Sequence, residues 1–260
     1  MSSALLRHYI WFCRLRQNAY NTKTLDLSGE DWFYPTQLLP VAVFLAENKG
    51  FNYIPPENPT ASSYFKYITY GYKYYSPSTT ALPVLKIPLS EEGRNKILEK
   101  LIDIEKGDLV GGSDVFGYMA GELIDNVYDH SEFSVAYIMA QKYPTMRFLE
   151  LCIVDNGISI PESLRKAGFD LEDWEAIREA VRGLSAKSNR ERGYGLRTIT
   201  HLLEKGLRGV GIIVSGEGAM TFGDEKRLYR LTKPNKFEGT LVSMRIPFQD
   251  RKVNVYEYVE

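Results

Sequence analysis

The chain has 260 residues, is 44% hydrophobic and 25% charged, and carries a formal net charge of -1. That length holds one large domain or two modest ones, and the near-zero charge excludes a global attraction to nucleic acid or to an anionic membrane. The two cysteines, Cys13 and Cys152, lie too far apart in sequence for a metal-ligand spacing and are too few for a disulfide framework.

The first apolar stretch, LLPVAVFLA, is too short to span a bilayer and contains Pro40. Arg7 and His8 interrupt any signal-peptide core, so a cytoplasmic location without membrane contact is expected. In chain order, RHYIWFCRLR alternates as a strand does, and TKTLDLSG reads as a buried strand ending at Gly29. Pro35 to Asn48 reads as a helix that opens on a proline and stops before Gly50, and FNYI as a short second strand. SSYFKYITYGYKYY reads as a helix whose aromatic side chains pack on a sheet. The segment from Ser76 to Pro83 has linker composition and places a boundary near residue 80.

Beyond that boundary, Glu91 to Glu105 and Asp114 to Asp129 read as helices, and MRFLELCIVD as a strand with Cys152 as a core thiol. Leu171 to Gly183 reads as a charged amphipathic helix and Gly195 to Lys205 as a helix ended by Gly206. GVGIIVSG, RLYRLT and GTLVSMRIPF read as antiparallel strands. This order predicts a small α/β domain over 1–80, a two-layer α/β sandwich over 81–250 with helices on one face of a mixed, mostly antiparallel sheet, and a tail over 251–260.

Four local patterns carry chemistry. On the helix from 115, Val115, Met119, Leu123 and Val127 form an apolar stripe, and Glu122, Asn126 and Asp129 form a polar line at i, i+4 and i+7. A carboxylate beside an amide oxygen suits a hard cation such as magnesium. After the buried strand come Asp155, Asn156 and Gly157: an acid that accepts from an exocyclic amine, then a glycine that lets the backbone approach a ring, although the same tripeptide makes an ordinary turn. Gly193, Tyr194, Gly195 and Leu196 precede a helix, where free N–H groups and the dipole favour phosphate, with Lys187 on the polar stretch before them. Last, Gly239 and Thr240 enter a strand.

Taken in order, Glu-x-x-x-Asn, Asp-x-Gly, Gly-x-Gly-Leu and Gly-Thr over roughly residues 85–248 resemble the ATP site of the GHKL superfamily, which includes DNA gyrase, the ninety-kilodalton heat-shock chaperones, histidine kinases and MutL. The resemblance implies ATP and magnesium as ligands. It assigns Asn126 to the metal, Asp155 and Gly157 to adenine, Gly193 and Gly195 to a phosphate lid, Thr240 to the adenine end and Glu122 to the general base. Asp129, Ile160, Lys187, Tyr194 and Leu196 complete the nucleotide-contacting set it implies. Ser159 stands where the family often has a second glycine, which requires a negative φ.

The segment GELIDNVYDHS is most similar to the serine-kinase and sensor-kinase branches, and no phosphoacceptor hairpin precedes the site. The first 80 residues resemble part of a STAS domain through LDLSG, FYPTQLL and FNYI; where regulated members of that family carry a phosphorylated serine, Thr36 is the hydroxyl present. The functions implied are an ATPase acting as a conformational switch through a protein partner or a homodimer, a serine/threonine kinase of the anti-sigma kind, or a non-catalytic ATP sensor.

Overall fold

The computed structural model describes residues 2–70, 80, 82, 84–105, 109–186 and 195–258. The chain runs α1 (Ser2–Thr22), β1 (Thr24–Asp26), α2 (Pro35–Glu47), β2 (Asn52–Ile54), α3 (Pro59–Tyr70), β3 (Leu85–Lys86), α4 (Arg94–Ile104) and α5 (Ser113–His130). It continues with β4 (Ala136–Tyr143), β5 (Phe148–Asp155), α6 (Ile160–Lys166), α7 (Asp173–Val181) and α8 (Gly195–His201), which passes into a π-helical turn, Leu202–Gly206. The chain then forms β6 (Val210–Gly216), β7 (Gly218–Phe222), β8 (Arg227–Arg230) and β9 (Phe237–Pro247).

Seven strands make one sheet in the order β3-β4-β5-β9-β6-β7-β8, and every neighbouring pair is antiparallel. The expected mixed sheet is therefore corrected. Among the described residues the parallel pairing is confined to β1 and β2, three residues each, in a separate small sheet. β5 explains the arrangement. It is buried along its whole length, so it needs cover on both faces. Leu149, Leu151 and Ile153 point into a core formed with α4, α5 and α8, while Cys152 and Val154 point into a second core formed with α1, α2 and α3.

The expected two layers are thus three. The N-terminal helices cover the back face of the sheet, opposite α5. Leu5, Tyr9, Phe12 and Cys13 recur at helical spacing on α1 and are buried, so RHYIWFCRLR is helical where its alternation reads as a strand. Tyr9 Oη donates to the Asn235 carbonyl at 2.6 Å, and Arg16 reaches the Pro234 and Lys236 carbonyls, each at 2.6 Å. The apolar residues from Leu5 to Tyr67 belong to the same buried cluster as Val210, Ile212, Val214 and Leu241 of the sheet, so a boundary at residue 80 does not divide two cores.

A buried polar network fixes this interface. Glu150 of β5 is fully buried and faces the start of α2. The Thr36 N–H and hydroxyl donate to Glu150 Oε1 at 3.0 and 2.6 Å, and Arg245 of β9 donates to Oε2 at 2.8 Å. A carboxylate at a helix N-terminus satisfies N–H groups that the helix leaves unpaired. The Arg245 guanidinium lies over the Tyr34 and Phe148 rings, with His8 Nδ1 3.4 Å away. Burial, then Arg245, lowers the His8 pKa to about 4, so this imidazole is neutral at pH 7. Thr36 has no exposed surface, and its hydroxyl is also 2.7 Å from Ser243 Oγ; a kinase reaches it only after α2 has left the sheet.

The segment after β9 returns to the front layer. Gln249 N donates to the Leu109 carbonyl at 2.7 Å and Val253 N to the Gly111 carbonyl at 2.9 Å. No helix among the described residues is long and apolar enough to cross a membrane.

Glu150→Ala should destabilise the fold by about 3–5 kcal/mol, because Arg245 is then left buried without its counter-charge; denaturant unfolding measures this. A fragment of residues 81–260 should lack cooperative unfolding, since its sheet would present one apolar face to water.

Candidate functional site

β5, β9 and β6 lie side by side, and their registers bring three polar residues into one row: Asp155 pairs with Thr240, and Thr240 pairs with Ser215. Ser215 is fully buried. Its hydroxyl donates to the Gly239 carbonyl at 3.1 Å, accepts from the Ile160 N–H at 2.8 Å, and lies 2.9 Å from Thr240 Oγ1. A serine inside the apolar run GIIVSG is the sequence signal that marks this position, and the motif reading omits it.

Asp155 is 3% exposed and ends β5. Its carboxyl accepts from the Gly157 N–H at 2.9 Å and from the Thr240 backbone. Burial outweighs both N–H groups and pushes its pKa up to about 7 from the ordinary value of 3.8. After it, Gly157 runs so close to α5 that a Cβ there would overlap the Ser131 carbonyl oxygen, and Ile158 N donates to that same oxygen at 2.6 Å. Only glycine allows this approach. Ser159 has φ -71° and caps α6 by accepting from Glu162 N, so the serine at the second-glycine position sits in ordinary backbone and starts a helix.

α5 passes above this row. Leu123, Asn126 and Val127 line a cleft with Ile153, Asp155, Ile158, Ile160, Thr240 and Val242, and Ala180, Leu184, Ala186, Gly195 and Leu196 also line it. The cleft holds about 830 Å³ of empty space, part of it open to solvent. Its mostly apolar lining with a few polar groups suits a small organic ligand.

Of the sequence-derived site residues, Asn126, Asp155, Ile160, Gly195, Leu196 and Thr240 thus meet around one cavity, and Gly157 shapes its floor. Glu122 lies against the start of α8: a Cβ on Gly195 would overlap Glu122 Oε2 and lie 3.8 Å from Asn126 Oδ1. Glu122 and Asp129 flank the residues that line the cleft, and the Asp129 charge acts on Glu122. Lys187, Gly193 and Tyr194 lie outside the described residues.

The Glu122 pKa is raised by burial first and then by Asp125 and Asp129, against a lowering by Arg94. Arg94 of α4 grips Asp125 through two hydrogen bonds, Nε to Oδ1 and Nη2 to Oδ2, the latter at 2.7 Å. Glu122 is thus a half-buried carboxyl with a raised pKa beside Gly195, which lines the cleft. Comparisons with protein-family models, with curated proteins and with solved structures find no match to this chain.

The sign of the Asp155 effect is definite. A carboxyl whose folded pKa is raised stabilises the fold fully below its unfolded pKa, near 4, and that contribution is lost as pH rises through about 7. Asp155→Asn should therefore be more stable than the unmutated protein above pH 7 without ligand, and the difference should shrink as pH falls below 7. Paired urea titrations at pH 5.5 and 8.5 measure it, and a difference independent of pH would remove the assignment.

Proposed function

We propose that this cleft binds an adenine nucleotide with magnesium in the manner of the GHKL ATPases, and that the chain is an ATP-dependent conformational switch acting through a protein partner. The observation that carries the reading is the Asp155 carboxyl, buried at the floor of an apolar cleft beside Thr240 and Ser215. Such a group is costly to keep out of water and serves little packing purpose, but it accepts well from an exocyclic amine. Val127, Ile153, Ile158 and Ile160 offer apolar contact to the faces of a planar base, and Gly157 gives it room.

From the base end, the polar line of α5 leads towards Gly195. Asn126 offers an amide oxygen near Gly195 at the start of α8, a donor of the type magnesium takes, with the Glu122 carboxylate beside it. When bound, the metal would offset the phosphate charge. Glu122 then lies where a water could be held for attack on the terminal phosphate, and burial, by raising its pKa, makes it a stronger proton acceptor than an exposed glutamate. The same arrangement serves transfer to a protein hydroxyl. The seclusion of Thr36 disfavours the chain's own N-terminal half as that acceptor and leaves hydrolysis as the preferred reading.

Asp155→Asn should weaken ATP binding by about ten-fold or more and reduce the preference for ATP over GTP, since guanine presents a carbonyl where adenine presents an amine. Calorimetry with both nucleotides measures this; equal affinity of the unmutated protein for ATP and GTP would sink the adenine assignment. Asn126→Ala should abolish the magnesium-dependent part of binding, read with and without EDTA. Glu122→Gln should keep ATP bound and lower turnover by about 10²–10⁴-fold. Incubation with γ-labelled ATP at high protein concentration separates the outcomes: released phosphate supports the switch, labelled protein a kinase, and bound but unreacted ATP a sensor.

A further inference from the structure

The turn that bears Asp155 and Gly157 is held by a side chain from the opposite layer. Asn156 occupies the bend between them. Its Oδ1 accepts from the N–H groups of Ser134 and Val135 at 3.1 and 2.8 Å, and its backbone N–H donates to the Val135 carbonyl at 3.0 Å. Its Nδ2 donates to Ser134 Oγ at 2.9 Å and to Glu47 Oε1 at 2.7 Å. Glu47 is the last residue of α2. The first turn of α2 meets the same strand at Glu150, through the Thr36 N–H and hydroxyl. One helix of the N-terminal layer therefore holds β5 at Glu150 and again just past its end.

We propose that Glu47 is a positioning residue for the base-binding turn, so that the N-terminal layer forms part of the ligand site and sets its affinity from the back of the sheet. Without Glu47 the Nδ2 end of Asn156 keeps only the neutral Ser134 hydroxyl, so the solvent-exposed Glu47 carboxylate supplies its one charged acceptor. The Asn156 oxygen is saturated by backbone donors, and the charged acceptor on Nδ2 is the stronger of its two acceptors. With Asn156 fixed, the Gly157 N–H stays on Asp155 Oδ1 and the Ile158 N–H stays on the Ser131 carbonyl. A shift of α2 along the sheet moves Glu47 and releases the turn. What the turn holds rests on the nucleotide reading; the coupling itself does not.

The test compares Glu47→Ala with Glu47→Gln in the full chain, because glutamine keeps an acceptor oxygen at the same place. The first readout needs no ligand: amide hydrogen exchange at Gly157 and Ile158, with unfolding midpoints measured in parallel. Glu47→Ala should speed exchange at these two amides by about three- to ten-fold, leaving the midpoint and the α5 amides unchanged, and Glu47→Gln should restore protection. Unchanged exchange in Glu47→Ala, or faster exchange in both variants alike, overturns the proposal. The second readout is ATP affinity, which should fall by a similar factor in Glu47→Ala. Absence of ATP binding by the unmutated protein would defeat the nucleotide reading, while the exchange result would still decide the role of Glu47.

Discussion

The constraint on which this structure turns is the burial of β5 on both faces. A strand with no exposed edge or face has no water for its polar side chains, yet β5 carries two carboxyl groups, Glu150 and Asp155. Their solutions are opposite. Glu150 faces the back layer and is met by the Arg245 guanidinium, by an N–H at the head of α2 and by the Thr36 hydroxyl. Asp155 faces the front cleft and meets only N–H groups among the described residues, so burial prevails and lifts its pKa to about 7. A compensated buried charge fixes an interface, whereas one left without a cation stores an electrostatic cost that a ligand can relieve.

From this difference follows the division of labour between the layers. The back core is rich in aromatic rings: Tyr9 and Phe12 each pack edge to face with Phe237, and Phe65 of α3 packs against Phe33 and Tyr53. The front core is aliphatic where α5 meets the sheet, and it opens into the cleft where the stripe of Leu123 and Val127 gives way to Asn126. Both layers pack on one strand, and the hydrogen bonds of Asn156 tie the end of that strand to α2 and to the start of β4. If the proposed switch function holds, that connection is a physical route by which a partner on the N-terminal face would bias it.

The elements with strong periodicity or clear end signals were readable from the residues alone. The stripe on α5, the apolar run of β5, the proline at the head of α2 and the glycine-flanked β6 each mark themselves. Less legible were β4 and β7, whose AYIMAQKY and GAMTF mix polar or small residues into the run and so lose any period. α1 was misread because its apolar residues, taken over ten positions, satisfy a two-residue as well as a 3.6-residue repeat. The short α6 hides behind Pro161, which sits within its first turn.

By itself, the sequence determined that the polar line of Glu122 and Asn126, the acid Asp155 with its glycine, and the residues at Gly195 and Thr240 occur in one order along an α/β chain. Local patterns suffice for that, since spacing along a helix or past a strand end is set by backbone geometry. Only the tertiary structure decided that Asp155, Thr240 and Ser215 stand in a row and that the N-terminal helices close the back of the sheet. Those outcomes depend on strand register and on which core each apolar face joins. Both are fixed by contacts between residues distant in the chain, such as Asp155 with Thr240 and Thr36 with Glu150, and no local pattern encodes them.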